Sequence, residues 1–200
     1  MPEIAAPFAP WIPYVAIEYL TTILQPDWRV FEWGAGGSTI YWALRCAQVT
    51  SIEHDPGWYH AVQTALGLWA SDDCYDCELK WIPGEAPAYY LSRDPNHPDN
   101  YRRPECPELN YQRYARAIDG RGLFDLVFVD GVARPSCVAH SLASVRPGGW
   151  LCLDNSDQAH WLTHYFDRPL LTLWKRHDHH GSGRGRVPWT TTFWQKPEEG

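Results

Sequence analysis

The sequence predicts a doubly wound α/β domain: a mostly parallel sheet with helices on both faces and an antiparallel hairpin at its C-terminal end. Three observations carry this. Apolar strand-like runs alternate with segments of helical period along most of the 200 residues. One run, Val30-Phe31-Glu32-Trp33, opens into the glycine turn Gly34-Ala35-Gly36-Gly37 and a helix start at Ser38-Thr39. Four strands finish in acids, Glu32, Glu53, Asp130 and Asp154, and in such sheets ligands bind beyond the carboxyl ends of the strands.

Taken in order, Trp11 to Leu24 repeats apolar residues at helical spacing and stops before Pro26, after a proline-rich arm. Arg29 to Phe31 begins the first strand, and the helix after the glycine turn runs from Ser38 to about Ala47. Its free N–H groups face any ligand held at the turn, because glycine lets the backbone approach closely. Val49 to Glu53 is the second strand, with its acid about twenty residues past Glu32, where a ribose-binding carboxylate belongs in a βαβ unit. Pro56 starts a helix continued by Trp58, Val62, Leu66 and Trp69, and Glu78 to Ile82 makes a third strand that Pro83-Gly84 ends. Ser92 to Pro107, rich in proline and charge, reads as a loop insertion over residues 92–110. Tyr111 to Ile118 re-enters the fold as a helix.

Phe124 to Val129 followed by Asp130-Gly131 suits a strand buried on both faces. A helix from Ala133 to Val145 follows, then Pro147-Gly148-Gly149 and the strand Trp150 to Leu153 with Asp154-Asn155 at its end. Gln158 to Phe166 reads as helix. Leu170 to Trp174 and Thr190 to Trp194 read as the hairpin strands, separated by the polar stretch His177 to Arg186.

Length and core size fit one domain over residues 1–200, with an N-terminal arm and helix over 1–27. The formal charge of −7 argues against a nucleic-acid binder, which would carry a basic face. No apolar run reaches the length of a membrane span. Met1-Pro2-Glu3-Ile4 shows no secretory pattern, so a cytoplasmic protein is expected. The heavy aromatic load, 12 Trp and 11 Tyr, is read chiefly as core. Of the six cysteines, Cys46, Cys137 and Cys152 read as small buried hydrophobes in helix or strand. Cys74 and Cys77 form a CxxC, with His97 and Cys106 as further conceivable ligands, but the spacing matches no standard zinc site, and a surface turn with free thiols is preferred.

Here the chain resembles the class I S-adenosylmethionine-dependent methyltransferases, over nearly its whole length. Glu32-Trp33-Gly34-Ala35-Gly36 is similar to that family's first motif, Ile52-Glu53-His54-Asp55 to its second, Phe124 to Asp130 to the fourth-strand motif, and Arg146-Pro147-Gly148-Gly149-Trp150 to the entry to strand five. The resemblance implies a Rossmann-like sheet whose antiparallel last strand is the hairpin. It implies S-adenosylmethionine as cofactor and methyl transfer to a small-molecule acceptor, with oxygen favoured. Gly34 and Gly36, with Ser38 at the helix start, would border the methionine part, and Glu32 would face its amino end. Glu53 would accept from the ribose hydroxyls, His54 would lie near the adenine, and Gly84-Glu85 would border the base.

Asp130, Asp154 and Asn155 are similar in position to the metal ligands of catechol-type O-methyltransferases, and two carboxylates with an amide oxygen suit Mg2+. That family has a lysine base shortly after the first Asp, whereas this chain reads Gly131-Val132-Ala133-Arg134. Without a metal, Asp130 would orient the acceptor and Arg134 would hold an anionic group. Plain capping of the strand ends, and a solvated Arg134, remain open beside these readings. His160 and His164 share a helix face, and with His177, His179 and His180 they read as lining or surface residues, any of which would serve as a base. The insertion and the arm with Trp11 and Tyr14 are where a lid would sit. Two alternatives stay open. One is a nicotinamide-dependent oxidoreductase, disfavoured by Thr39 in place of a third glycine. The other is a catalytically silent cofactor-binding module.

Overall fold

The computed structural model describes residues 8–69, 76–86, 94, 97–103, 105–158, 169–184 and 187–198. Seven strands form one sheet: β1 (Arg29–Trp33), β2 (Gln48–Glu53), β3 (Asp76–Trp81), β4 (Phe124–Val129), β5 (Val145–Leu153), β6 (Lys175–Gly181) and β7 (Trp189–Gln195). Their spatial order is β3-β2-β1-β4-β5-β7-β6. The first five run parallel, and β7 inserts antiparallel between β5 and β6. The helices are α1 (Tyr14–Ile23), α2 (Gly37–Ala43), α3 (Pro56–Trp69), α4 (Gln112–Ala115), α5 (Arg134–Ser141) and α6 (Pro169–Thr172), with 3₁₀ turns at Pro98–Asn100 and Arg116–Ile118. None of the described helices is long and apolar enough to cross a membrane.

Period-two alternation along the central strands feeds two cores, as a sheet covered on both faces requires. Phe31, Trp33, Val127, Val129, Leu151 and Leu153 face one core, which α4 and α5 complete with Tyr114, Cys137 and Val138. Val30, Val49, Leu126, Phe128, Trp150 and Cys152 face the other, where Ile12, Ile17, Leu20 and Trp42 pack. The same alternation turns Glu32 toward the α2 side of the sheet, beneath the glycine turn.

Several boundaries differ from the sequence reading. The first hairpin strand is Lys175–Gly181, not Leu170 to Trp174. The apolar Leu170 run instead makes the short α6, and Leu171 within it and Trp174 just after it pack into the core. The polar stretch makes the strand because it is an edge. His177 and His179 turn inward onto Tyr19, at ring-centroid distances of 5.2 and 4.4 Å, while Arg176, Asp178 and His180 face outward and blunt the edge. Pro147-Gly148-Gly149 lies inside β5, at a register shift against β4, rather than before it. α2 stops at Ala43, which leaves Cys46 in a turn, half-buried, instead of in a helix. Cys77 lies in β3 as a free, half-buried thiol rather than in a surface turn, and burial pushes its pKa up to about 12. Cys74, the expected helix Gln158 to Phe166 and both His160 and His164 lie outside the described residues, apart from Gln158 itself.

Candidate active site

The carboxyl ends of β1, β2, β4 and β5 surround a cavity of about 540 Å³. Gly34, Ala35, Gly36, Ser38, Glu53, His54, Asp130, Asp154 and Asn155 all line it, so the sequence-level convergence holds for most of the expected residues.

The glycine turn is forced by a close crossing. Gly34 sits at φ +92, a left-handed conformation that disfavours side chains, and a Cβ there would stand 2.7 Å from the backbone N of Gly131. Its N–H donates to the Ile52 carbonyl at 2.9 Å, and Asp130 N–H donates to the Trp33 carbonyl at 2.9 Å, which stitches the turn to both neighbouring strand ends.

Glu32 does not face the cavity. It is 0% exposed and sits beneath the turn. Thr39 Oγ1 and Ser51 Oγ donate to its Oε2 at 2.6 and 2.5 Å, and Trp42 Nε1 donates to its Oε1 at 3.0 Å, with Ser38 as a further partner. Burial raises its pKa against the pull of those donors. Thr39 Oγ1 also accepts from Gly36 N–H at 3.0 Å. The residue standing where a dinucleotide fingerprint would have a third glycine therefore ties the turn to the buried carboxylate.

Glu53 is poised differently. Its Oε1 accepts from the backbone N–H groups of His54 and Asp55 at 2.8 and 2.7 Å, which fixes the carboxylate at the cavity wall, and Oε2 takes no part in those bonds. His54 Nδ1 lies 2.9 Å from the same Oε1 but makes no hydrogen bond. Its Nε2 lies 3.1 Å from Arg103 Nη1. Asp55 caps α3 by accepting from Trp58 N–H at 2.7 Å, which brings the Trp58 ring over Gly36 at the cavity rim. Gly84 and Glu85 are not part of the wall. Gly84 packs under the Tyr111 ring, and Glu85 bridges to Asn110 and pairs with Arg113 at 2.5 Å.

At the other end, Arg134 joins three expected residues. Its Nη2 donates to Asp130 Oδ1 at 3.0 Å, and its Nη1 donates to the Asp154 carbonyl at 2.5 Å and to Asn155 Oδ1 at 3.1 Å. It is neither a solvated helix residue nor a donor left open for an anionic substrate. Asp154 Oδ1 is held by Trp189 Nε1 and Thr191 Oγ1 at 2.8 and 2.6 Å. Desolvation and the neighbouring Asp154 push the Asp130 carboxyl well above the usual aspartate range, with Arg134 opposing. The oxygens expected to hold Mg2+ do meet, but around a guanidinium and indole and hydroxyl donors. As arranged they do not fit a divalent ion. Among the described residues no three His, Cys, Asp or Glu side chains group as metal ligands.

The sequence reading missed Asp55 as a cap and Trp58 as a rim residue, although an Asp directly before a proline that opens a helix is an N-cap signal. His97, Arg102, Arg103 and Glu105 line the cavity from the insertion and Trp11 lines it from the arm, where a lid was expected. Tyr14, the first residue of α1, lies outside the lining. His177, His179 and His180 sit on the far edge strand and do not line it.

No protein-family model and no curated protein matches the chain. Solved structures do. The O-methyltransferase TomG of Streptomyces achromogenes, involved in tomaymycin synthesis and solved with SAM, superimposes with a TM-score of 0.62 at 16% identity, over 98% of this chain and 85% of that one. A methyltransferase-like protein of Silicibacter pomeroyi gives 0.59 at 19% identity, over 95% and 89%. An rRNA methylase of Streptococcus thermophilus gives 0.57 at 13%, over 90% and 93%. The fold is the class I methyltransferase fold. Within it, β7 inserted antiparallel beside β5 is the feature that departs from a dinucleotide-binding sheet, whose strand order is 3-2-1-4-5-6.

Proposed function

We propose that the chain is an S-adenosylmethionine-dependent methyltransferase acting on a small-molecule acceptor, with oxygen as the acceptor atom. The observation that carries this is the placement of a fixed, cavity-facing Glu53 and the Gly34 turn at adjacent strand ends of a methyltransferase-type sheet. Glu53 Oε2 is the acceptor for ribose hydroxyls. The turn Gly34-Ala35-Gly36 and Ser38 border the methionine part, and His54 borders the base. The bound cofactor supplies an electrophilic methyl group on a sulfonium, so the chain's task is orientation and electrostatics. Asp130, 21% exposed at the wall, orients the acceptor, and Asp154, held by Trp189 and Thr191, positions Arg134 and Asp130. A net charge of −7 favours a small acceptor over RNA.

Calorimetry tests the reading. S-adenosylhomocysteine is expected to bind and NAD is not. Absence of binding at millimolar S-adenosylhomocysteine would overturn it. Glu53→Ala removes a charged hydrogen-bond partner and is expected to weaken binding by roughly 10- to 100-fold while the fold survives. Unchanged affinity would remove Glu53 from the site.

A further inference from the structure

We propose that Arg134 is the fixed cation of this site, standing where the pattern of strand-end oxygens leads one to expect a divalent ion, and that it keeps such ions out. A guanidinium has five N–H donors in a rigid planar fork. Here all five meet acceptors of the chain. Nε donates to the Gly131 carbonyl at 2.8 Å. Nη1 donates to the Asp154 carbonyl and Asn155 Oδ1 at 2.5 and 3.1 Å, and Nη2 donates to the Asp130 carbonyl and Asp130 Oδ1 at 3.1 and 3.0 Å. The acceptors come from two loops, those after β4 and β5, and the side chain is 11% exposed. Arg134 is thus built in as a bridge.

The loops are bent to make it. Ala133, which precedes Arg134, and Asn155, which accepts from it, both adopt left-handed backbone, at φ 48 and 53. Such conformations cost energy in non-glycine residues and persist where surrounding structure over-determines them. The bridge is the contact that spans both.

A hard dication asks for something this arrangement denies it. Magnesium takes six oxygens at about 2.1 Å and prefers several waters among them. To use Asp130 Oδ1 and Asn155 Oδ1 it would have to stand beside a positive guanidinium already bound to both. Asp154 gives no relief, since its Oδ1 is turned to Trp189 and Thr191 and its Oδ2 lies 4.0 Å from Arg134 Nη1. Arg134 is therefore a positioning residue: it fixes the Asp130 carboxylate and neutralises charge at that end of the cavity. This concerns the same cavity as the proposed methyl transfer, but its test needs neither cofactor nor acceptor.

The probe is terbium, whose luminescence is excited through nearby indole, here Trp189 at 2.8 Å from Asp154 Oδ1. The wild-type protein is expected to show no saturable terbium site. Arg134→Ala, folded by circular dichroism, is expected to gain a saturable one, as charge and ligand count set affinity. Asp130→Asn in the same background is expected to abolish it, and Arg134→Lys, which keeps the charge, to gain none. Saturable wild-type binding that Asp130→Asn removes overturns the proposal, whether or not Arg134→Ala folds. So does a folded Arg134→Ala that still binds no terbium. Failure of S-adenosylhomocysteine to bind would leave all these terbium outcomes standing and would count only against the methyltransferase reading.

Discussion

Glu32 accepts from Ser38, Thr39, Trp42 and Ser51 with no solvent access, so removing it strands several donors at once. Glu32→Ala is expected to cost about 3 kcal/mol, since each buried donor left without a partner costs about 1–3 kcal/mol and local relaxation recovers some of that; urea unfolding measures it. Because burial raises its pKa, the native state favours the protonated carboxyl. The stability this contributes is complete below the ordinary glutamate pKa and is lost as the pH rises through the raised one. Relative to wild type, Glu32→Gln should therefore gain in urea midpoint as the pH rises above the ordinary glutamate range. A constant difference would show that Glu32 stays ionised in the fold. Gly34→Ala meets two obstacles, the left-handed φ of +92 and a Cβ 2.7 Å from Gly131 N. It should lower stability by about 2 kcal/mol or more and abolish S-adenosylhomocysteine binding in calorimetry.

β6 carries its own pH dependence. Desolvation lowers the pKa of His177 and of His179, where the rings stack on Tyr19 from α1; Lys175 and His177 add repulsion to the two respectively, and Asp178 opposes both. A lowered histidine pKa means that the fold prefers the neutral ring. That contribution is present above the ordinary histidine pKa and is lost as pH falls through the lowered one. Amide exchange along β6 and β7 should therefore accelerate relative to β1 and β4 as pH drops from about 7 to about 5, after correction for intrinsic rates. The double variant His177→Gln/His179→Gln should remove that trend, and a trend surviving the change would place its cause elsewhere. The same element explains why an apolar search for strands misplaced this one. An edge strand needs only one inward face, and here aromatic imidazoles supply it.

The arm ahead of α1 ties the sheet to the cavity rim. Ile12 and Ala9 are buried in the α1-side core, while Trp11 between them remains 45% exposed and reaches a 44% exposed Trp58 at a ring-centroid distance of 6.1 Å. Ile12→Ala should cost about 3 kcal/mol by thermal or urea unfolding, the usual range for a truncated buried aliphatic. What the linear chain determined was what depends on neighbours in sequence. It determined the alternation of strands and helices, the glycine turn that Gly34 needs for its close crossing, and acids at the strand ends, since strand direction alone carries Glu53, Asp130 and Asp154 to one edge. What only the tertiary structure decided was how those acids are used. Pleat and packing turned Glu32 down onto Thr39 and Ser51, the edge position made a strand of Lys175–Gly181, and two bent loops closed five acceptors around Arg134. The physical reason is that a carboxylate's role is set by whichever donors reach it first, and those donors come from residues far away in the sequence.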